Sequence, residues 1–156
     1  MAIAIEYRIM VEDDVPEVRS LVERTVRRSY QGIYCEAAIE FFVRYHGEEE
    51  IRRDLREGVS LVALHGPEFV GTATLREGVM TRVFVEPSMQ GMGIGGCLMR
   101  ALIDRARKEG LKEVRLDASL VSRVVYEHMG FVLIACRSHD LGDGDTLPYY
   151  EMVLYL

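Results

Sequence analysis

Ile5 to Met10 alternates apolar and polar positions as a half-buried strand does. Val15, Val18, Leu21, Val22, Thr25 and Val26 then recur at helical spacing and mark one buried helix face. Asp14 precedes that face and Glu17 follows three residues later, the pattern of a capping box. Arg24, Arg27 and Arg28 fall in the later turns, where the helix dipole favours cations, and read as a solvated helix end. Cys35 to Tyr45 and Glu48 to Arg56 predict two more helices, punctuated by Gly47 and Gly58. Ser60 to His65, Phe69 to Leu75 and Met80 to Val85 predict three strands joined by turns at Gly66-Pro67 and Glu77-Gly78, an antiparallel meander.

The pattern then changes. Gly91 to Glu109 reads as a helix with Ile94, Leu98, Ala101, Leu102 and Ala106 as its buried stripe, closed by Gly110. Glu113 to Ala118 is a strand, Leu120 to Met129 a helix, Phe131 to Arg137 a strand, Asp140 to Pro148 a polar loop, and Tyr149 to Tyr155 a last strand. This order implies one mixed α/β or α+β sheet with helices on both faces, partly parallel after the meander.

Composition agrees with one domain spanning residues 1–156: apolar residues make up 49% and charged residues 28%. The net charge of −6 argues against a nucleic-acid partner, since phosphate neutralisation needs a basic excess. The longest uncharged runs, such as Val132 to Cys136, fall far short of the ~20 apolar residues that span a bilayer, and the N-terminus lacks the charged-then-apolar build of a secretory signal. The expectation is a cytoplasmic protein with no membrane partner. Cys35, Cys97 and Cys136 have no CxxC spacing and read as small buried hydrophobes; the four histidines show no ligand spacing, so no metal is expected.

The chemistry concentrates in Val85-Glu-Pro87-Ser-Met-Gln90-Gly91-Met92-Gly93-Ile94-Gly95-Gly96. Glycine costs a helix about 1 kcal/mol relative to Ala, so glycines packed at a helix start serve another need. Several main-chain N–H groups can there approach one anion at the positive end of the helix dipole, which favours a phosphate or pyrophosphate. Gly91-x-Gly93-x-x-Gly96, with Asp117 ending the next strand, matches the dinucleotide fingerprint. Against it, Glu86 to Gln90 separate strand from first glycine, and only 60 residues follow Gly96, too few for a doubly wound fold. A P-loop fails because no Lys-Ser/Thr pair follows the glycines.

Gln90-Gly-x-Gly93-x-Gly95, preceded by Val85-x-Pro87, resembles the acyl-CoA signature of the GNAT superfamily of N-acetyltransferases, and Tyr126-Glu-His-Met-Gly130-Phe131 resembles its second motif. The element order agrees from end to end. The resemblance implies a mostly antiparallel sheet of about seven strands, splayed at its middle between Arg82–Val85 and Val114–Ala118. It implies that residues Gln90, Gly91, Met92, Gly93, Ile94, Gly95 and Gly96 hold the pyrophosphate of acetyl-CoA, that the pantetheine arm lies along Phe84 and Val85, and that a main-chain amide of that strand polarises the thioester carbonyl. Ser119 stands where relatives carry a residue that helps with the cofactor, and Arg123 is either a phosphate contact or an exposed helix arginine.

By motif position Tyr126 is the candidate acid for the departing thiolate. At 100° per residue it falls about 140° from Val121, off the face of Val121, Val124, Val125 and His128, and so toward a cleft. Glu77 and Glu86 are candidate bases near the expected cleft, each also readable as a solvated turn residue. Tyr30, Tyr34, Phe41, Phe42 and Tyr45 either wall an acceptor pocket or, at helical spacing, form core. The expected reaction moves an acetyl group from coenzyme A to a primary amine of a small molecule or peptide. A silent acyl-CoA sensor and a dinucleotide-dependent oxidoreductase are the alternatives. The last strand, rich in Tyr and Val, is expected to be able to pair across a homodimer.

Overall fold

A computed structural model describes residues 3–156; Met1 and Ala2, which open the N-terminal apolar run, lie outside the described residues. The chain runs β1 (Glu6–Ile9), a 3₁₀ turn (Glu12–Asp14), α1 (Val15–Tyr30), α2 (Glu36–Tyr45), α3 (Glu48–Glu57), β2 (Val59–His65), β3 (Glu68–Arg76), β4 (Val79–Val85), a second 3₁₀ turn (Pro87–Met89), α4 (Ile94–Lys108), β5 (Glu113–Ala118), α5 (Arg123–His128), β6 (Val132–Gly142) and β7 (Asp145–Tyr155). The seven strands lie in the order β1-β2-β3-β4-β5-β7-β6. Among the described strands of the sheet, β4 and β5 are the parallel neighbours and the other pairings are antiparallel. That mixed α+β sheet is not the doubly wound parallel sheet a dinucleotide fingerprint requires.

Two layers cover the sheet. On one face α4 and α5 bury Ile94, Leu98, Met99, Leu102, Ile103, Ala106 and Tyr126 against Ala73, Leu116 and Met152. On the other, Val15, Val18, Val22 and Val26 of α1 and Ile39 of α2 pack on Val62, Leu64 and Phe84. The expected face of α1 is thus buried. In α4, Met99 and Ile103 replace Ala101, which is exposed, because the stripe follows the larger side chains.

Asp14 does not form the expected capping box with Glu17. Its Oδ2 accepts from the Val11 N–H at 2.8 Å, and Arg8 grips both oxygens at 2.7 and 2.9 Å. Pro16 at the head of α1 removes one N–H that a cap would otherwise serve.

The C-terminal third departs most from expectation. Asp140 to Pro148 is not a loop: β6 and β7 form a long hairpin closed by Asp143-Gly144, whose φ values of +53° and +79° suit a tight two-residue turn. Pro148 is tolerated because it lies beyond the end of β5, where β7 has a neighbour on one side only. The last strand is therefore internal over residues 150–153, flanked by β5 and β6, and over that stretch has no free edge to offer a dimer partner; the edge strands of the sheet are β1 and β6.

The helix expected over Leu120–Met129 shortens to the six residues of α5, and its buried face is reversed. Val121, Val124 and Val125 are exposed, whereas Tyr126 turns inward against Phe131, ring centroids 5.9 Å apart. A short helix has room for one inward anchor, and the large ring removes more apolar area from water than one valine. All three cysteines are exposed rather than buried.

Candidate active site

Along β4 the buried positions are Met80, Arg82 and Phe84. The strand pairs with β3 through a bulge: Thr81 faces Thr74 and Phe84 faces Thr72, so Arg82 and Val83 share the place opposite Ala73. On its other side, Val79 with Arg115 is the one register pair joining β4 to β5 among the described residues, supported by the Arg115 N–H donating to the Gly78 carbonyl at 2.9 Å. Beyond that pair the strands part. The seam predicted between Arg82–Val85 and Val114–Ala118 is present.

The seam leads to the glycine turn. Gly91 and Gly93 adopt φ of +83° and +82°, the left-handed region that L side chains avoid, and a Cβ added to either would meet nothing within 4 Å. Glycine is thus required there by backbone conformation and not by crowding from the protein, which leaves open space in front of the turn. The first hydrogen bond of α4 runs from the Cys97 N–H to the Gly93 carbonyl at 3.0 Å. The N–H groups of Ile94, Gly95 and Gly96 have no partner within a helix, as at any helix start. Among the described residues, none of the N–H groups from Gly91 to Gly96 donates to another part of the protein. Gln90 Nε2 reaches back to the Val85 carbonyl at 3.0 Å and ties the turn to the strand.

Of the residues assigned to the turn, Gln90, Gly91, Met92 and Gly93 are exposed, while Ile94 sends its side chain into the core and leaves only main chain at the site. Phe84 and Val85 sit where the seam opens. Phe84 is buried with its ring edge on His46, centroids 5.2 Å apart, and Val85 packs toward α4. Arg123 is engaged by Glu127 at 2.6 Å and lies over the Tyr150 ring at 4.7 Å, the helix-surface role.

One cavity of about 430 Å³ follows the seam. Phe41, Phe42 and Tyr45 of α2 and Tyr149 and His139 of the hairpin line it, the Phe41 and His139 rings meeting at a centroid distance of 5.8 Å. Phe41 stacks on Tyr45, and His139 on Tyr149, at centroid distances of 6.1 and 4.8 Å. Tyr30 belongs to both core and wall. Tyr34 is structural: its hydroxyl donates to the Pro148 carbonyl at 3.0 Å and accepts from the Leu120 N–H at 2.9 Å.

Tyr126 lines the same cavity although it is only 7% exposed. Burial, then the neighbouring Tyr30, raise its phenol pKa, with Ser122 pulling the other way. Tyr30 is pushed up to about 12, chiefly by burial. Ser119, also buried, shares a 2.8 Å hydrogen bond with Ser122. Four hydroxyls thus gather where β5 meets α5.

Of the two candidate bases, Glu77 lines the cavity, at its exposed rim. Glu86 does not: it pairs with Arg24 at 2.8 Å and faces a separate cleft beside α1. Sequence reasoning weighed Asp117 only as part of the dinucleotide fingerprint; it lines the cavity, and its carboxyl is raised by partial desolvation and by the charge of Glu151. It also missed His46, Asp54 and Arg82. The available signal was an arginine at an inward position of an alternating apolar strand. Among the described residues no cluster of three or more His, Cys, Asp or Glu is arranged to hold a metal, and no helix is long and apolar enough to cross a membrane.

Residues 28–154 match the family model for the acetyltransferase (GNAT) domain, and the chain belongs to that family. A GCN5-related N-acetyltransferase from Rhodopseudomonas palustris superposes with a TM-score of 0.89 at 20% identity, covering 100% of this chain and 99% of that one. The PaiA N-acetyltransferase of Thermoplasma acidophilum, solved with coenzyme A, gives 0.79 at 20% identity over 98% and 99%. The ribosomal-protein-S18-alanine N-acetyltransferase of Escherichia coli gives 0.72 at 16% identity over 97% and 94%. No curated protein matches the chain in sequence.

Proposed function

We propose that the chain is an acetyl-CoA-dependent N-acetyltransferase acting on a primary amine of a small molecule or peptide. The observation that carries this reading is the continuity of seam and turn. β4 leaves β5 after Val79 and leads to a run of main-chain N–H groups that donate to no other part of the chain among the described residues. Open space in front of Gly91 and Gly93 is what a pyrophosphate cradle needs, and the coenzyme A complex of the Thermoplasma relative supports the choice of carrier.

Bound there, acetyl-CoA supplies the acyl group as a thioester. The N–H groups of Gly91 to Gly96 donate to the diphosphate, aided by the helix dipole. The unpaired edge of β4 around Phe84 and Val85 receives the pantetheine arm, and a main-chain N–H of this edge stabilises the developing oxyanion. Tyr126 keeps its proton at neutral pH because burial disfavours the phenolate, and it gives that proton to the thiolate as the carbon–sulfur bond breaks. Ser122 and Ser119 position the phenol and offer a path for its reprotonation. The incoming amine loses its proton at the carboxylate rim, where Asp117, with its raised pKa, is a better base than an ordinary carboxylate.

Thiol release from acetyl-CoA across a panel of amines tests this reading. Turnover on at least one amine is expected. Coenzyme A binding without turnover on any amine would instead identify a silent acyl-CoA-binding module.

A further inference from the structure

Two buried polar side chains in the cavity hold atoms without partners: Nε of Arg82 and Nδ1 of His46. Buried polar groups are overwhelmingly hydrogen-bonded, so two orphans in one cavity point to a ligand. The Arg82 side chain is 2% exposed. It carries five N–H donors, and its one partner among the described residues is Asp54, whose Oδ2 accepts from Nη1 at 2.8 Å. Its backbone sits at φ +54° within the β4 bulge, a conformation costly for any residue but glycine. A strained position retained for a nearly inaccessible cation is a costly way to make an ordinary core.

Two guanidinium groups share the carboxylates around it, and Glu50 of α3 also lines the cavity. Arg76 also contacts Asp54, Nη1 to Oδ1 at 3.1 Å, so one buried carboxylate serves two guanidinium groups. Arg76 has a second partner in Glu57 at 3.0 Å, but that carboxylate is half exposed and screened by water. His46 adds no charge: burial, then the positive charge of Arg82, drop its imidazole to about 3. The inner end of the cavity thus sets a guanidinium with a free Nε beside a neutral imidazole with a free Nδ1. At the rim, Glu77 and Asp117 have no ion-pair partner among the described residues and favour a cation.

We propose that Arg82, backed by Asp54 and flanked by His46, is the recognition site for a carboxylate on the acceptor, so that the acceptor is an amino acid or related amine-acid and not a simple amine. Nη1 is held by Asp54, and the remaining Nε edge of the planar guanidinium suits carboxylate oxygens, while an ammonium would be repelled. The rim carboxylates meet the ammonium end as it enters and the seam receives it for transfer. This rests on the acetyltransferase reading and narrows its substrate class.

Matched acceptors test it: L-phenylalanine, its methyl ester and phenethylamine, and L-lysine with cadaverine, each followed by thiol release from acetyl-CoA. A free acid is expected to exceed its ester and its simple amine in kcat/KM by about 10- to 100-fold, the worth of a charge-assisted pair. In R82K that advantage shrinks toward parity while KM for acetyl-CoA holds. With the wild-type chain, 3-phenylpropanoate, an acid with no amine, is expected to inhibit competitively against the preferred acceptor and not against acetyl-CoA, which keeps the test valid if R82K fails to fold. Equal rates across acid, ester and amine, or no inhibition by the acid, overturn the inference alone. No thiol release on any acceptor overturns the acetyltransferase reading and this inference with it.

Discussion

Val79 lies opposite Arg115, and no other register pair holds β4 to β5 among the described residues. In a continuous parallel ladder each strand satisfies its neighbour along its whole length. Here β4 pairs fully with β3 and β5 with β7, so the sheet stays intact while its centre opens. The opening leads on one side to the glycine turn and on the other to the aromatic-walled cavity.

Gly93→Val is expected to weaken acetyl-CoA binding without unfolding the chain. A Cβ at this position meets no neighbour within 4 Å, but φ of +82° is prohibitive for a β-branched residue, so the turn rearranges at a local cost of about 1–3 kcal/mol. KM for acetyl-CoA should rise at least about tenfold, with far-ultraviolet circular dichroism unchanged. Unchanged KM contradicts the assignment of the turn.

Tyr126→Phe is expected to lower kcat by about 100-fold or more, the usual worth of a general acid, while KM for acetyl-CoA stays near wild type. The raised phenol pKa adds a condition: a group above its ordinary value holds its proton to higher pH, so no alkaline loss of kcat below about pH 10 should trace to this residue. Full activity in the Phe variant removes the acid role.

Asp54→Ala is expected to destabilise the fold by about 3–5 kcal/mol in urea unfolding, because it strands the Arg82 guanidinium in the interior. A loss below about 1 kcal/mol would show that the ion pair is not buried in solution.

The seam and the turn were legible because their signals are local: Gln90-Gly-x-Gly-x-Gly is contiguous, and the strand before it ends where its apolar alternation ends. The far end of the cavity was not. Asp54, Arg82, Asp117 and His139 come from four different elements and His46 from the turn after α2, and only long-range packing brings them to one cavity. The hairpin of β6 and β7 was legible in principle: Asp143-Gly144 is a strong tight-turn dipeptide, but the surrounding polar residues and Pro148 read as a loop. In α5 periodicity misled, since six residues are too few for a stripe to decide which side faces the core.

His46 makes acid stability a readable quantity. Its imidazole, at about 3 when folded against about 6.5 when free, leaves the unfolded chain binding more protons between those values, so stability is full above pH 6.5 and falls as pH drops toward 3. Asp14, lowered chiefly by Arg8, adds its loss only as pH falls from the ordinary carboxylate value through its own lower one. His46→Phe should therefore flatten the dependence between pH 6.5 and 4.5 and leave the steeper fall below pH 4 in place. Parallel curves for variant and wild type across pH 6.5 to 4.5 would contradict a neutral buried imidazole.

Calorimetric titration of the full chain with coenzyme A, and separately with a reduced nicotinamide dinucleotide, tests the whole account most directly. One saturable site for coenzyme A and no heat from the dinucleotide is the predicted result. Heat from the dinucleotide with none from coenzyme A would contradict it.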